Sequence, residues 1–126
     1  PELLAECRKL GGCATGEAKV TPGYRLPARW VIHTVGPIWQ GGADGEPELL
    51  ASAYRRSLEE AVRVGAETVA FPAISTGVYG YPKAEAARIA VNTIRNFLAG
   101  HPELEEVRLV CYSEDSAEYH RRVLDE

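Results

Sequence analysis

Hydrophobic side chains recur every three to four positions in several segments of the chain, which is the spacing that gives an α-helix one buried face. Leu50, Tyr54 and Leu58 show this spacing, and a glycine follows the segment to which they belong. The same pattern, with glycine or acidic residues at the expected ends, is found in three further segments. The predicted helices cover residues 2–10, 48–64, 83–99 and 116–124.

Shorter segments between these helices alternate between polar and apolar positions or are rich in β-branched and aromatic residues, and both patterns favour strands. The clearest is Trp30-Val31-Ile32-His33-Thr34-Val35, which ends at Gly36-Pro37. The predicted strands cover residues 17–21, 30–35, 68–71 and 107–111.

The elements from residue 30 to residue 111 follow the order strand, helix, strand, helix, strand, which gives two consecutive βαβ units. Crossovers of this length allow parallel pairing and are expected to be right-handed. Helices must cover both faces of a parallel sheet. The sequence therefore predicts an α/β fold, a three-layer α/β/α sandwich with a mostly parallel central sheet. Since the chain has 126 residues, we expect one domain over residues 1–126.

Composition narrows the class of protein. Hydrophobic residues make up 45% and charged residues 25%, as in ordinary globular domains. The net charge is −4 and the basic residues are scattered, which argues against nucleic-acid partners because those require clustered Lys and Arg. No apolar run approaches the roughly 18 residues of a membrane span, and no signal-peptide leader is visible. We therefore expect a cytoplasmic protein without a membrane partner.

The three cysteines, Cys7, Cys13 and Cys111, form no Cys-x-x-Cys pair. An odd number of unpaired cysteines indicates reduced, structural thiols. The spacing of Cys7 and Cys13 does not suit a zinc site with a histidine. We expect no metal site and no cofactor.

A glycine-containing loop follows the strand predicted over residues 68–71. In open α/β sheets, ligands bind beyond the carboxyl ends of the strands. There the chain continues as Ser75-Thr76-Gly77-Val78-Tyr79-Gly80 and runs into a helix. Successive N–H groups on such a turn, next to a helix N-terminus, form an anion-binding cradle, and Gly77 and Gly80 permit positive φ. From composition alone, a plain strand-to-helix loop with glycines for turning is the favoured alternative.

Other assignments for this loop lack their required residues. It matches neither the GxxxxGK[ST] nor the GxGxxG phosphate motif. Ser75 is not a hydrolase nucleophile of the GxSxG type, because the first glycine is missing.

Two further residues outside the loop are candidates for function. Tyr112, at the end of the last strand, either stacks on a base or packs under the final helix. His33 lies within a strand, where a hydrogen-bonded core histidine is the more common role than a catalytic one.

The residues around the loop resemble a known family. Phe71-Pro72-Ala73-Ile74-Ser75-Thr76-Gly77-Val78-Tyr79-Gly80-Tyr81-Pro82 is similar to the diphosphate loop of macrodomains of the MacroD type. Thr15-Gly16-Glu17-Ala18, Thr21-Pro22-Gly23-Tyr24 and the segment 31–39 match the same family in the same order. The resemblance covers nearly the whole chain.

The resemblance implies a three-layer α/β/α module that binds ADP-ribose, or an ADP-ribosylated protein, in a cleft at the rim of the sheet. The loop residues would hold the diphosphate and distal ribose, and the aromatic residue after the last strand would flank the adenine. Many members remove ADP-ribose from acidic side chains or hydrolyse O-acetyl-ADP-ribose with a bound water and no metal. The implied ligand-binding residues are Ser75, Thr76, Gly77, Val78, Tyr79 and Tyr112.

One departure from the family concerns catalysis. The family's Asn-Ala-Ala-Asn segment and its Gly-rich loop with an Asp are not found in this sequence. We therefore expect the catalytic residues upstream of Pro1, a fold incomplete at the N-terminus and no hydrolysis by these residues alone. Two functions remain open: the parent domain is an ADP-ribosyl hydrolase or O-acetyl-ADP-ribose deacetylase, or it is a non-catalytic ADP-ribose reader. An RNA-binding module is disfavoured by the charge.

Overall fold

The computed structural model describes residues 14–23, 29–76, 79–110 and 114–124, with side chains from residue 117 onward in the last range. The strands are β1 (Ala18–Pro22), β2 (Trp30–Thr34), β3 (Thr68–Pro72) and β4 (Glu106–Val110), and the helices are α1 (Glu46–Arg63), α2 (Lys83–Ala99) and α3 (Glu114–Leu124). All of these were predicted to within two residues at either end. The helix predicted over residues 2–10 lies outside the described residues. No helix in the described ranges has the length and hydropathy to cross a bilayer.

Helix α1 begins at Glu46, two residues earlier than the apolar spacing predicts. Pro47 occupies the first turn, where the N–H that it lacks would have no helical acceptor and its fixed φ suits the helix. Gly45 precedes the helix with a φ of 78°, a left-handed conformation that favours glycine. The start of α1 is thus set by the preceding loop rather than by its buried face.

Strands β3 and β4 form a parallel pair, in register from Thr68 opposite Glu106 to Pro72 opposite Val110. Helix α2 connects them, so this βαβ unit is confirmed. The antiparallel pair β1–β2 runs from Ala18 opposite Thr34 to Pro22 opposite Trp30.

The first expected βαβ unit does not form a strand pair. Within the described residues, β2 is hydrogen-bonded to β1 and not to β3. A cavity of about 1150 Å³ lies between the two strands and is lined by residues 29–36 and by much of the segment 64–75. A long crossover allows its two strands to be neighbours but does not require it, because the helix can span an intervening position in the sheet.

The main core lies where α1 and α2 pack against β3. Tyr54 and Leu58 of α1 are buried, and the Tyr54 ring meets Phe71 of β3 with centroids 5.0 Å apart. Burying a large apolar side chain contributes about 1.5–3 kcal/mol. Helix α2 also packs against α3 through Val91 and Val123. These contacts hold β3 firmly, so that the loop after it starts from a fixed position.

Candidate functional site

Ser75 follows β3 in an unusual conformation. Its φ is 67°, and it is the one non-glycine residue with positive φ in the described part of the chain. Left-handed geometry costs a residue with a Cβ about 1–2 kcal/mol. Its Oγ is also buried without a hydrogen-bond partner among the described residues. Strain combined with an unsatisfied buried hydroxyl is typical of a ligand site.

Gly36, at the end of β2, is the reason that Ser75 can be accommodated. A Cβ at this position would overlap Ser75 Oγ and Ile74 Cγ2. The absence of a side chain therefore lets the end of β2 approach the loop after β3 closely. Gly36, Ser75 and Tyr79 all line the cavity between β2 and β3, so the cavity reaches this loop.

The ligand loop, residues 75–80, is closed by its own main chain. The N–H of Tyr81 donates to the Ser75 carbonyl oxygen at 2.8 Å, and the Thr76 hydroxyl donates to the Ala73 carbonyl oxygen at 3.1 Å. Gly80 has a φ of 72°, as its predicted role requires. Within the described part of the chain, the N–H groups of Thr76, Tyr79 and Gly80 donate to no main-chain acceptor.

A second loop supports the ligand loop from the side. The N–H of Trp39 donates to the Tyr79 carbonyl oxygen at 2.9 Å. The Trp39 ring packs on Tyr81 with centroids 4.7 Å apart and planes inclined by 55°. Tyr81 is buried, whereas the side chains of Tyr79 and Ile38 are exposed by 37% and 57%. The ring of Tyr79 is thus partly exposed at the ligand loop, while Tyr81 is packed beneath Trp39.

Two buried tyrosines lie at the two ends of the ligand loop. The N–H of Ile74 donates to the Tyr54 hydroxyl at 3.2 Å, which ties the start of the loop to α1. The Tyr81 hydroxyl at the other end is buried without a partner among the described residues. Burial is the main cause that raises the pKa of Tyr81, and the charges of Glu85, Glu46 and Glu48 raise it further. The phenol therefore stays neutral and does not act as a base near neutral pH.

His33 has a structural position, as predicted. Its Nε2 and the Thr21 hydroxyl are 2.8 Å apart, which links β2 to the neighbouring strand β1. Thr21 is buried, and a buried hydroxyl requires such a partner. In the described ranges, no group of three His, Cys, Asp or Glu side chains is arranged to hold a metal ion.

Of the six residues predicted to bind a ligand, the structure brings Ser75, Thr76 and Tyr79 together in one closed loop. Gly77, Val78 and Tyr112 lie outside the described residues. The sequence interpretation missed Glu46, whose carboxylate organises the loop before α1. An available signal was a carboxylate at a helix start directly after a glycine-rich segment, since first-turn carboxylates often accept N–H bonds.

Known proteins resemble this chain closely in sequence. The sequence profile of the Macro domain family matches residues 1–90. A Macro domain-containing protein of Chlorobaculum tepidum is 55% identical over 124 residues, which cover 98% of this chain and 72% of that protein. A protein of Cronobacter sakazakii named O-acetyl-ADP-ribose deacetylase is 50% identical over 128 residues, which cover 98% and 71%.

Solved structures resemble it in fold. The macrodomain of Oceanobacillus iheyensis, solved with ADP, superposes with a TM-score of 0.93 at 42% identity, over 99% of this chain and 69% of that one. The macrodomain of Trypanosoma brucei in complex with ADP-ribose gives a TM-score of 0.91 at 41% identity, over 98% and 52%. The macrodomain-like α/β fold predicted from the sequence is thereby confirmed.

Proposed function

Because the chain belongs to the Macro domain family, we propose that it binds ADP-ribose, free or attached to a protein, with the diphosphate on the ligand loop. The observation that carries the proposal is Ser75, with its left-handed backbone and a buried hydroxyl that has no partner among the described residues. Residues 1–126 would act as a single domain, since both core clusters contain residues of α2.

The charge of the chain supports recognition of the diphosphate by main-chain N–H groups. The net charge is −4, so a general attraction of anions to the surface is absent. Main-chain donors on a closed loop before a helix can bind a diphosphate without a cationic side chain. In this arrangement the ligand loop would hold the diphosphate and the distal ribose through Ser75, Thr76, Gly77, Val78 and Tyr79. Tyr112 would flank the adenine.

Titration calorimetry with ADP-ribose, ADP and adenosine tests the proposal. ADP-ribose should bind most tightly and adenosine most weakly. Each charge-assisted hydrogen bond that adenosine cannot make is worth about 1.5–3 kcal/mol, or at least about tenfold in affinity. Equal affinity for adenosine and ADP-ribose would show that the ligand loop is not the anion site.

The relatives named O-acetyl-ADP-ribose deacetylase support a second proposal, that the parent domain hydrolyses O-acetyl-ADP-ribose. Hydrolysis needs an oriented water and a group to activate it. The hydroxyls of Ser75, Thr76 and Tyr79 can orient a water, but they are poor bases near neutral pH. These hydroxyls therefore do not supply the activating group, and we expect no hydrolysis by residues 1–126 alone.

An acetate-release assay distinguishes the two candidates. It compares residues 1–126 with a protein that carries a relative's preceding segment before Pro1. The absence of a positioned acid–base group typically costs about 10²–10⁴-fold in rate. Comparable turnover by both proteins would place the catalytic group among residues 1–126.

A further inference from the structure

We propose that Glu46 is a positioning residue for the ligand loop: its carboxylate shapes the glutamate loop, residues 40–45, so that Trp39 holds Tyr79 and Tyr81 in place. The inference rests on the proposed binding of ADP-ribose. It concerns a side chain outside the ligand loop that reaches the site through a series of contacts.

The Glu46 carboxylate is the centre of the glutamate loop. Its Oε2 accepts N–H bonds from Gln40 at 2.8 Å and Gly42 at 3.0 Å, and its Oε1 accepts one from Asp44 at 2.7 Å. The residue is only 2% exposed. Gly41 and Gly42, with φ of 88° and 87°, let the chain wrap around the carboxylate. The loop therefore takes its shape from a buried anion supplied by the protein itself.

Trp39 connects this loop to the ligand loop. A Cβ on Gly42 would come within 2.8 Å of Trp39 Cη2, so the ring lies directly against the glutamate loop. The ring also packs on Tyr81, and the Trp39 N–H donates to the Tyr79 carbonyl oxygen. Tyr81 in turn closes the ligand loop on Ser75. The path from Glu46 to Ser75 thus consists of direct contacts throughout.

A carboxylate suits this position better than an amide. Three N–H donors converge on its two oxygens, and a glutamine would offer one oxygen and an NH₂ group. At least one donor would then face another donor and lose its acceptor. The first turn of α1 also favours negative charge, because the N-terminal end of a helix is positive. Glu46→Gln therefore removes the organising charge with a minimal change in volume.

The test compares Glu46→Gln with two control variants. Glu48→Gln removes the same charge from an exposed position two residues later. Val123→Ala removes buried volume between α2 and α3, far from both loops, and controls for general loss of stability. For each variant we would measure ADP-ribose affinity by calorimetry, unfolding by denaturant and hydrogen exchange of individual amides by NMR. Glu46→Gln should exchange faster at Gln40, Gly42 and Asp44 and bind ADP-ribose about tenfold more weakly. Both controls should bind as the wild type does.

The other possible results would contradict either the positioning role of Glu46 or the proposed binding of ADP-ribose. Wild-type affinity of Glu46→Gln with fast exchange of the glutamate loop would overturn the positioning role. If the wild type itself does not bind ADP-ribose, the proposed function fails. The link between the glutamate loop and the ligand loop is then tested by the NMR amide resonances of Tyr79 and Tyr81. Those resonances should shift in Glu46→Gln but not in Val123→Ala, and unchanged resonances in Glu46→Gln would overturn the link between the two loops.

A second variant covers the case in which Glu46→Gln does not fold. Trp39→Ala leaves the carboxylate and its N–H donors intact but removes the ring between the two loops. It should weaken ADP-ribose binding about tenfold, the same loss that is expected for Glu46→Gln. Wild-type affinity of Trp39→Ala would overturn the proposal.

Discussion

Two glycine-containing loops in this molecule resemble each other and differ in what satisfies their N–H groups. The glutamate loop precedes α1, the ligand loop precedes α2, and both use glycines of positive φ. In the glutamate loop, three N–H groups bind the carboxylate of Glu46. In the described part of the ligand loop, the N–H groups of Thr76, Tyr79 and Gly80 have no main-chain acceptor.

The difference lies in whether the chain itself supplies the acceptor for the N–H groups of the loop. A loop whose anion comes from its own chain is complete on folding and becomes rigid. In the ligand loop, the proposed anion site would use the N–H groups that have no main-chain acceptor and the strained backbone of Ser75. The contact of Trp39 with Tyr81 places the glutamate loop beside the ligand loop.

The largest expected effect comes from making the ligand loop resemble the glutamate loop. Gly77→Glu would place a carboxylate where the diphosphate is proposed to lie. The loss of two charge-assisted contacts, each about 1.5–3 kcal/mol, would weaken ADP-ribose binding by more than about 100-fold. Calorimetry would measure the affinity and circular dichroism the fold.

The same substitution at Gly65, which has a positive φ and open space around it, is the control. Gly65→Glu should cost stability but leave ADP-ribose binding unchanged. If Gly77→Glu binds ADP-ribose with wild-type affinity, the ligand loop does not bind the diphosphate and does not differ from the glutamate loop in this respect.

Substitutions of Tyr112 test how much of the ADP-ribose binding free energy comes from contacts outside the ligand loop. If its ring stacks on adenine, Tyr112→Ala should cost about 1–3 kcal/mol of binding free energy, and Tyr112→Phe should be nearly silent. Titration of both variants with ADP-ribose gives the two values. Equal damage from Phe and Ala would mean that the hydroxyl makes the contact and that stacking is the wrong explanation.

Gly36→Ala tests whether the strained backbone of Ser75 matters. The new Cβ would overlap Ser75 Oγ and Ile74 Cγ2 and push the ligand loop away from β2. Overpacking of this kind typically costs about 1–3 kcal/mol of stability, and the displaced loop should bind ADP-ribose about tenfold more weakly. Denaturant unfolding and calorimetry measure the two effects. A loss of stability with full affinity would show that the position of Ser75 is not required for binding.

The smallest expected effect is a dependence of stability on pH through Glu46. Burial of its carboxyl acts to raise the pKa, but N–H bonds from Gln40, Gly42 and Asp44 outweigh burial and hold the pKa below the ordinary value of 4.5. A lowered pKa in the folded state stabilises the protein above the unfolded value, and this contribution is lost as the pH falls through the folded pKa. The difference in unfolding free energy between the wild type and Glu46→Gln should therefore be constant near neutral pH and narrow below about pH 4.5. A difference that widens on acidification would contradict this assignment.

The sequence by itself determined the local elements and the candidate loop. Apolar spacing placed α1, α2 and the four predicted strands closely, because the periods of helix and strand are properties of neighbouring residues. Glycines in a strand-to-helix turn also indicated the ligand loop, and the resemblance to macrodomains indicated its ligand. The start of α1 and the role of Glu46 were missed, because the loop there is organised by a carboxylate and not by an apolar face.

Only the tertiary structure decided which separate segments meet. No local pattern reveals that β2 pairs with β1 and is separated from β3 by a cavity. Nor does a pattern reveal that Gly36 makes room for Ser75, or that Trp39 lies against Tyr81. These contacts join residues far apart in sequence, and their free energy depends on how helices and strands pack around a shared core. Spacing along the chain specifies which face of an element is buried, and packing specifies what that face meets.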